Sequence, residues 1–318
     1  MKTRLELKYF QWLICALFLL GILSSLISHA QELSLAAKSY QPNAQFDVKI
    51  SEAEYRKNST GRSLIARVYE PQGLGPFPVV IDFHGGAWNN KNRTAEQPMD
   101  LALAKSGLLV VAIDLTLAPD RPYPANLQDA HYGIRWLKLN APRWKGDPST
   151  LGIYASSSGG HVAELIGLKP FDPEYSALVF SEAPNLDAKV RYIVSRAPIS
   201  DPRARYQNAV NLGREKMINN HYTYFQPWST IDTANPQYIL DRKEKVFLPP
   251  LLVMAGEKDD NVLPEIQKRF VDSYQKAGGS AQLKIFADSD HEWVAQEGPQ
   301  TDLARKTVKD FIATQIKN

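Results

Sequence analysis

The stretch that most constrains the fold of this chain runs from Gly152 to His161, Gly-Ile-Tyr-Ala-Ser-Ser-Ser-Gly-Gly-His. An apolar strand pattern over Leu151–Ala155 breaks into small residues, then resumes as a helical pattern through Gly160, Val162, Ala163 and Leu165. Strand, tight turn and helix in that order lift the side chain at the apex, Ser157, clear of a sheet. A hydroxyl is a weak nucleophile until a base removes its proton, so a chain that uses one must present it with room for a histidine alongside. The turn that does this has the frame Gly-x-Ser-x-Gly, because its strained backbone accepts little but small residues two positions either side of the serine. Here the frame reads Ala155-Ser156-Ser157-Ser158-Gly159, with alanine in the first place. Of the three consecutive serines, only Ser157 keeps the spacing to Gly159. The competing reading is a plain Ser/Gly loop, and this stretch alone does not choose between the two.

The first residues belong to a different kind of sequence. Lys2, Arg4 and Lys8 precede an uncharged apolar run from Tyr9 to Ile27, and Ser28-His29-Ala30 has the small-x-small form of a cleavage site. Residues 1–30 therefore read as a secretory signal peptide and residues 31–318 as one domain, secreted or periplasmic. An uncleaved membrane anchor is the alternative, since the run is nearly long enough to span. The single cysteine, Cys15, lies inside that run. Residues Trp12, Leu13 and Ile14 before it are too bulky for a lipoprotein site, so the processed chain is expected to have no thiol, which excludes disulfides, Cys-ligated zinc and a cysteine nucleophile. Removing the leader takes the formal charge from +3 to about +1. No basic stripe is left to hold a nucleic acid, and no membrane partner is expected once the leader is gone.

Along the remaining chain, Gln45–Tyr55 and Ser63–Tyr69 alternate apolar and polar residues, as strands with one solvated face do. Short continuous apolar runs follow at Val79–Phe83, Leu108–Ile113, Leu151–Ala155, Tyr192–Ala197, Leu251–Ala255 and Leu283–Phe286. Helical stretches separate them: Pro98–Ser106, Ala125–Asn140, Gly160–Leu168, Pro264–Ala277 and Thr301–Gln315. This order predicts an α/β fold, a mostly parallel central sheet with antiparallel N-terminal strands and helices on both faces. The longer connection 198–246 is rich in aromatics (Tyr206, Tyr222, Tyr224, Phe225, Trp228) and weak in periodicity. It reads either as a lid over a site or as a packed excursion with no substrate contact.

Three further segments carry possible chemistry. His84-Gly85-Gly86-Ala87-Trp88 follows the strand Val79–Phe83. Gly86 and Ala87 are the favoured loop N–H donors to an oxyanion, with Gly85 giving the turn its freedom and a further N–H from Ser158, the residue after the serine. His84 reads as a brace for this loop rather than as a base, and Trp88 as a substrate contact. After Leu251–Ala255 stand Asp259 and, in reserve, Asp260; the alternative is that both merely cap the helix from Pro264. His291 follows the last strand and completes the order Ser, Asp, His. Of the other histidines, His131 and His161 read as structural, and His221, in the insert, as a possible substrate contact. No histidine pair has metal-ligand spacing. No metal and no cofactor are expected.

Taken together these residues resemble the α/β-hydrolase superfamily and, within it, the hormone-sensitive-lipase-like and xylan/feruloyl-esterase-like carboxylesterases. The resemblance runs from about Ile65 to the C-terminus. It rests on His84-Gly-Gly-Ala-Trp88, Ala118-Pro119, Pro124–Asp129 with Trp136, Ser157-Ser-Gly-Gly-His161, Ala234-Asn235-Pro236, Asp259 in the spacing Gly-x-x-Asp-x-x-Val, and His291. Two features depart from the pattern: Leu115-Thr116 stands where family members often have Tyr-Arg, and Ala155 replaces the first elbow glycine. The long helical N-terminal cap of some lipase-like members has no counterpart here. The resemblance implies a serine esterase acting on a small-molecule ester of short acyl, acetyl or aryl type. Two rivals share the sequence: an arylformamidase- or peptidase-like amide hydrolase on the same triad, and a secreted binding protein that keeps the fold without activity.

Overall fold

A computed structural model describes residues 40–316; the proposed leader and Cys15 lie outside the described residues. Eight strands form one sheet in the order β1-β2-β4-β3-β5-β6-β7-β8. They are β1 (Val48–Lys57), β2 (Ser63–Pro71), β3 (Phe77–Phe83), β4 (Leu109–Ile113), β5 (Gly146–Ser156), β6 (Ile193–Arg196), β7 (Leu251–Gly256) and β8 (Ala281–Phe286). The pairs β1–β2 and β2–β4 are antiparallel, and every pair from β4 to β8 is parallel. This is the expected sheet, with β3, β5 and β8 starting two to five residues earlier than their apolar runs.

Strand periodicity divides the core. On β5, Leu151, Ile153 and Ala155 face one layer and Tyr154 the other; on β7, Leu251 and Val253 face one and Leu252 and Met254 the other. Helices α2 (Ala125–Asn140), α3 (Ser158–Leu168) and α8 (Pro264–Lys276) cover the first layer through Ile134, Val162 and Phe270. Helices α1 (Gln97–Lys105) and α9 (Pro299–Ile316) cover the second through Leu103 and Val308. Both faces of the parallel strands are thereby buried, which is why these strands read as continuous apolar runs. The two outer strands differ: β1 exposes Lys49, Glu52, Glu54 and Lys57, and β8 exposes Gln282 and Lys284.

The connection 198–246 holds four short helices: α4 (Pro202–Asn211), α5 (Glu215–Tyr224), α6 (Thr230–Thr233) and α7 (Pro236–Asp241). Weak periodicity hid them, because each is short and none presents a wide apolar stripe. Their starts are nonetheless written locally. Asp201 and Asn235 are N-caps that accept the N–H of Ala204 and Tyr238, each followed by proline in the first helical position. Among the described residues, no helix is long and apolar enough to cross a membrane.

Candidate functional site

The C-terminal ends of the parallel strands deliver the residues singled out in the sequence to one place. Ser157 sits between β5 and α3 with φ 49 and ψ −115, a conformation that residues other than glycine rarely adopt. It occupies the N-cap of α3, yet its hydroxyl makes no capping bond. The hydroxyl instead donates to Nε2 of His291 at 3.0 Å. On the opposite side of the ring, Nδ1–H donates to Oδ2 of Asp259 at 2.8 Å, which fixes the tautomer that leaves Nε2 free to accept. The other oxygen of Asp259 accepts the N–H groups of Asn261 and Val262 at 2.9 and 2.8 Å, so this buried carboxylate cannot swing away. Asp260, the reserve acid, is exposed and ion-paired with Arg214.

Close packing explains the small residues around the serine. A Cβ on Gly159 would lie 2.0 Å from the carbonyl oxygen of Phe83, because α3 starts against the end of β3. Ala155 is fully buried, so the methyl that replaces the usual glycine hydrogen is absorbed by the core. The loop after β3 is held against the elbow by a 3.0 Å bond from the N–H of Trp88 to the Ser158 hydroxyl. Gly86, Ala87 and Ser157 line one cleft, and the N–H groups of Gly86, Ala87 and Ser158 have no hydrogen-bond acceptor among the described residues. Three unspent donors beside the serine are what a developing oxyanion requires.

Several expectations need correcting. The freedom assigned to Gly85 belongs to Gly86, which has φ +105 and whose Cβ would lie 2.1 Å from the Asn90 carbonyl oxygen. Trp88 does not reach the cleft. Its side chain is buried, stacked on Tyr224 at 4.6 Å, and its indole N–H donates to Nδ1 of His161. His221 is also buried, donating from Nδ1 to the Met217 carbonyl and accepting from Arg205 at Nε2. His161 donates from Nε2 to the Ala234 carbonyl at 2.7 Å, and burial holds its pKa down to about 4. It packs beneath the elbow, as does His84 beneath its loop, donating to the Gly85 carbonyl.

Other residues of the site were not legible. Glu96, at the N-cap of α1, accepts from the Ser156 hydroxyl at 2.8 Å and from Arg196 at 2.9 Å. Arg196 ends β6 and donates its other terminal nitrogen to the carbonyl of His291 at 2.9 Å. One buried ion pair thus ties Ser156, the residue before Ser157, to the backbone of His291. The Arg196 guanidinium holds the Glu96 carboxyl below its ordinary value despite burial, and Glu96 in turn raises Arg196 further. Asp82 and Asp100, buried beside them, are pushed the opposite way by desolvation and by neighbouring carboxylates. An arginine closing an apolar run was the only sign of this network. The cleft itself, about 550 Å³, has its far wall from the insert: Arg205, Arg214, Lys216, Met217 and Asn220. That wall is polar. The insert's aromatics pack inward (Tyr224, Phe225) or against one another outside (Tyr206, Tyr222, Trp228).

A mostly parallel eight-stranded sheet with a Ser-His-Asp constellation in the loops past its strand ends defines an α/β hydrolase. The chain belongs to the BD-FAE family, whose model matches residues 67–273. Among curated proteins it is 29% identical over 219 residues to "Probable carboxylic ester hydrolase LipM" of Mycobacterium tuberculosis, covering 67% of this chain and 48% of that protein. It is 34% identical to "Carboxylesterase NlhH" of the same species over 116 residues, 36% of each chain. The chain spans about half the length, or less, of these relatives. The metagenomic carboxylesterase EstE1 superposes with a TM-score of 0.70 at 20% identity, covering 91% of this chain and 96% of that one. At that identity the likeness is one of fold.

Proposed function

We propose that this protein is a serine carboxylesterase. The observation that carries the reading is the linear chain of contacts from Ser157 Oγ to His291 Nε2 at 3.0 Å and from His291 Nδ1 to Asp259 Oδ2 at 2.8 Å. In this reading His291 takes the hydroxyl proton as Ser157 attacks the ester carbonyl. Asp259 stabilises the imidazolium that forms, and the N–H groups of Gly86, Ala87 and Ser158 receive the oxyanion. His291 then returns the proton to the departing alcohol, and a water activated by the same histidine releases the acyl group from Ser157. The relatives named as carboxylic ester hydrolases and carboxylesterases support ester over amide chemistry. The cleft of about 550 Å³, with Arg205, Arg214, Lys216 and Asn220 in its far wall, favours short acyl, acetyl or aryl esters over long fatty chains.

The leader-like residues 1–30 support an exported protein, secreted or periplasmic. Hydrolysis of 4-nitrophenyl acetate, with an arylformamide alongside, tests the reading. Ser157→Ala is expected to lower kcat by about 10⁴-fold or more and to abolish labelling by a fluorophosphonate. Retained turnover or labelling in that variant, or hydrolysis of the formamide alone, would overturn it.

A further inference from the structure

Two cations of the cleft rim are compensated. Lys91 pairs with Glu292 at 3.2 Å and Arg214 pairs with Asp260, while Glu215 and Lys216 are exposed to solvent. Arg205 is different. It projects from α4 into the same cleft as Ser157 and His291, is only 2% exposed, and makes no ion pair among the described residues. Its Nε donates to the Asn261 side-chain oxygen at 2.9 Å and Nη1 to Nε2 of His221 at 3.3 Å, and the indole of Trp88 lies 5.8 Å from its central carbon. None of these partners carries a compensating charge. Burial holds the His221 pKa down to about 3, with Arg205 adding to the effect, so that ring is neutral. The carboxylate whose field reaches Arg205 is Asp259, and its oxygens are already taken by His291, Asn261 and Val262. The remaining terminal nitrogen, Nη2, has no hydrogen-bond partner among the described residues, and it is not sealed from the cleft.

Buried guanidinium groups are normally met by carboxylate or phosphate, and the unpartnered Nη2 can donate a charge-assisted bond to a carboxylate. We propose that Arg205 is a specificity residue that anchors a carboxylate on the substrate, so that the preferred substrates are esters bearing a free carboxylate near the scissile bond. The inference rests on the serine-esterase reading and names its substrate class. The anchoring energy falls on substrates that carry the charge, and a neutral ester of the same size forgoes it.

The test uses two pairs of esters of matched size, with kcat/KM measured for the wild-type protein, Arg205→Lys and Arg205→Gln. In mono-4-nitrophenyl succinate against 4-nitrophenyl butyrate the charge sits in the acyl half; in 4-acetoxybenzoate against 4-acetoxybenzamide it sits in the alcohol half. The wild-type protein is expected to prefer the charged member of one pair, which also assigns the half that meets Arg205. Arg205→Gln is expected to reduce that preference about tenfold, with Arg205→Lys in between. A wild-type protein with no preference for the charged member in either pair overturns the proposal without any variant. So does an Arg205→Gln protein that loses equally on charged and neutral esters, because Arg205 would then only brace the Asp259 loop through Asn261. Hydrolysis of neutral esters with no charge preference leaves the esterase reading standing and removes the anchor. Failure of all four esters together with absent fluorophosphonate labelling removes both.

Discussion

Glu96 and Arg196 hold the geometry of the site from below, and their value depends on both being present. Removing one member of a buried pair leaves the other charged and unmet, which costs about 3–5 kcal/mol. Glu96→Gln is therefore expected to lower the unfolding free energy measured by urea denaturation by that much and to reduce kcat by loosening His291. Asp82 is as deeply buried, but desolvation and nearby Glu96 push its carboxyl well above the ordinary carboxylate range, toward the neutral form. Asp82→Asn is expected to change stability by less than about 1 kcal/mol on the same measurement. Packing sets a harder limit at Gly159, whose Cβ would strike the Phe83 carbonyl oxygen at 2.0 Å. Gly159→Ala is expected to cost about 3 kcal/mol, read as a lower melting temperature with slower fluorophosphonate labelling. At this scale the sequence singled out Ser157, Asp259 and His291, which the structure brings within hydrogen-bonding reach of one another. It misled at Trp88, where proximity in sequence to the oxyanion loop says nothing about which way the ring points. It was silent on Glu96 and Arg205, whose roles arise only when segments 100 residues apart in one case, and 56 in the other, come together.

Helices and strands with a single dominant periodicity were readable to within one or two residues at most ends, because burial on both faces of the sheet leaves an unbroken apolar signature. Strand starts were less so. β5 begins at Gly146 although its apolar run starts at Leu151, since backbone pairing with β3 at Phe77 and Pro78 continues through polar residues. The insert was the element least legible from hydrophobic pattern, yet its caps were visible in Asp201-Pro202 and Asn235-Pro236. Asn235 does double duty. It caps α7 by accepting from Tyr238 and donates to Asp201, the cap of α4, at 2.9 Å. Asn235→Ala is expected to destabilise the protein by about 2 kcal/mol, above the usual value near 1 for one lost cap, as measured by thermal melting. Since α4 and α5 form the cleft wall, the same variant is expected to raise KM for small esters more than it lowers kcat.

Across the whole molecule, two sets of buried groups set the pH response with opposite signs. His131, His161 and His221 are held neutral, with pKa values depressed to about 4, 4 and 3, mainly by desolvation. Their contribution is present above the unfolded value near 6.5 and is lost as pH falls toward 4, because the unfolded chain gains protons that the native state refuses. Asp82, Asp100 and Glu164 are raised by burial, so the native state keeps protons that the unfolded chain releases above pH 4. Their contribution is lost as pH rises toward the native values. Between about pH 4 and 6.5 the two sets oppose each other, and above that range only the carboxyls remain. Stability is thus expected to decline as pH rises above about 6.5, by up to about 1.4 kcal/mol per pH unit for each of these carboxyls for as long as it keeps its proton. Glu164→Gln is expected to flatten that slope in urea denaturation, and an unchanged slope would contradict the assignment. The rims of the sheet carry a separate consequence. With Lys49, Glu52, Glu54 and Lys57 along β1 and Gln282 and Lys284 along β8, against one exposed isoleucine on each, Ile50 and Ile285, either border meets an approaching strand with more charged and polar side chains than apolar ones. Concentrated solutions should therefore resist growth of the sheet from one molecule into the next.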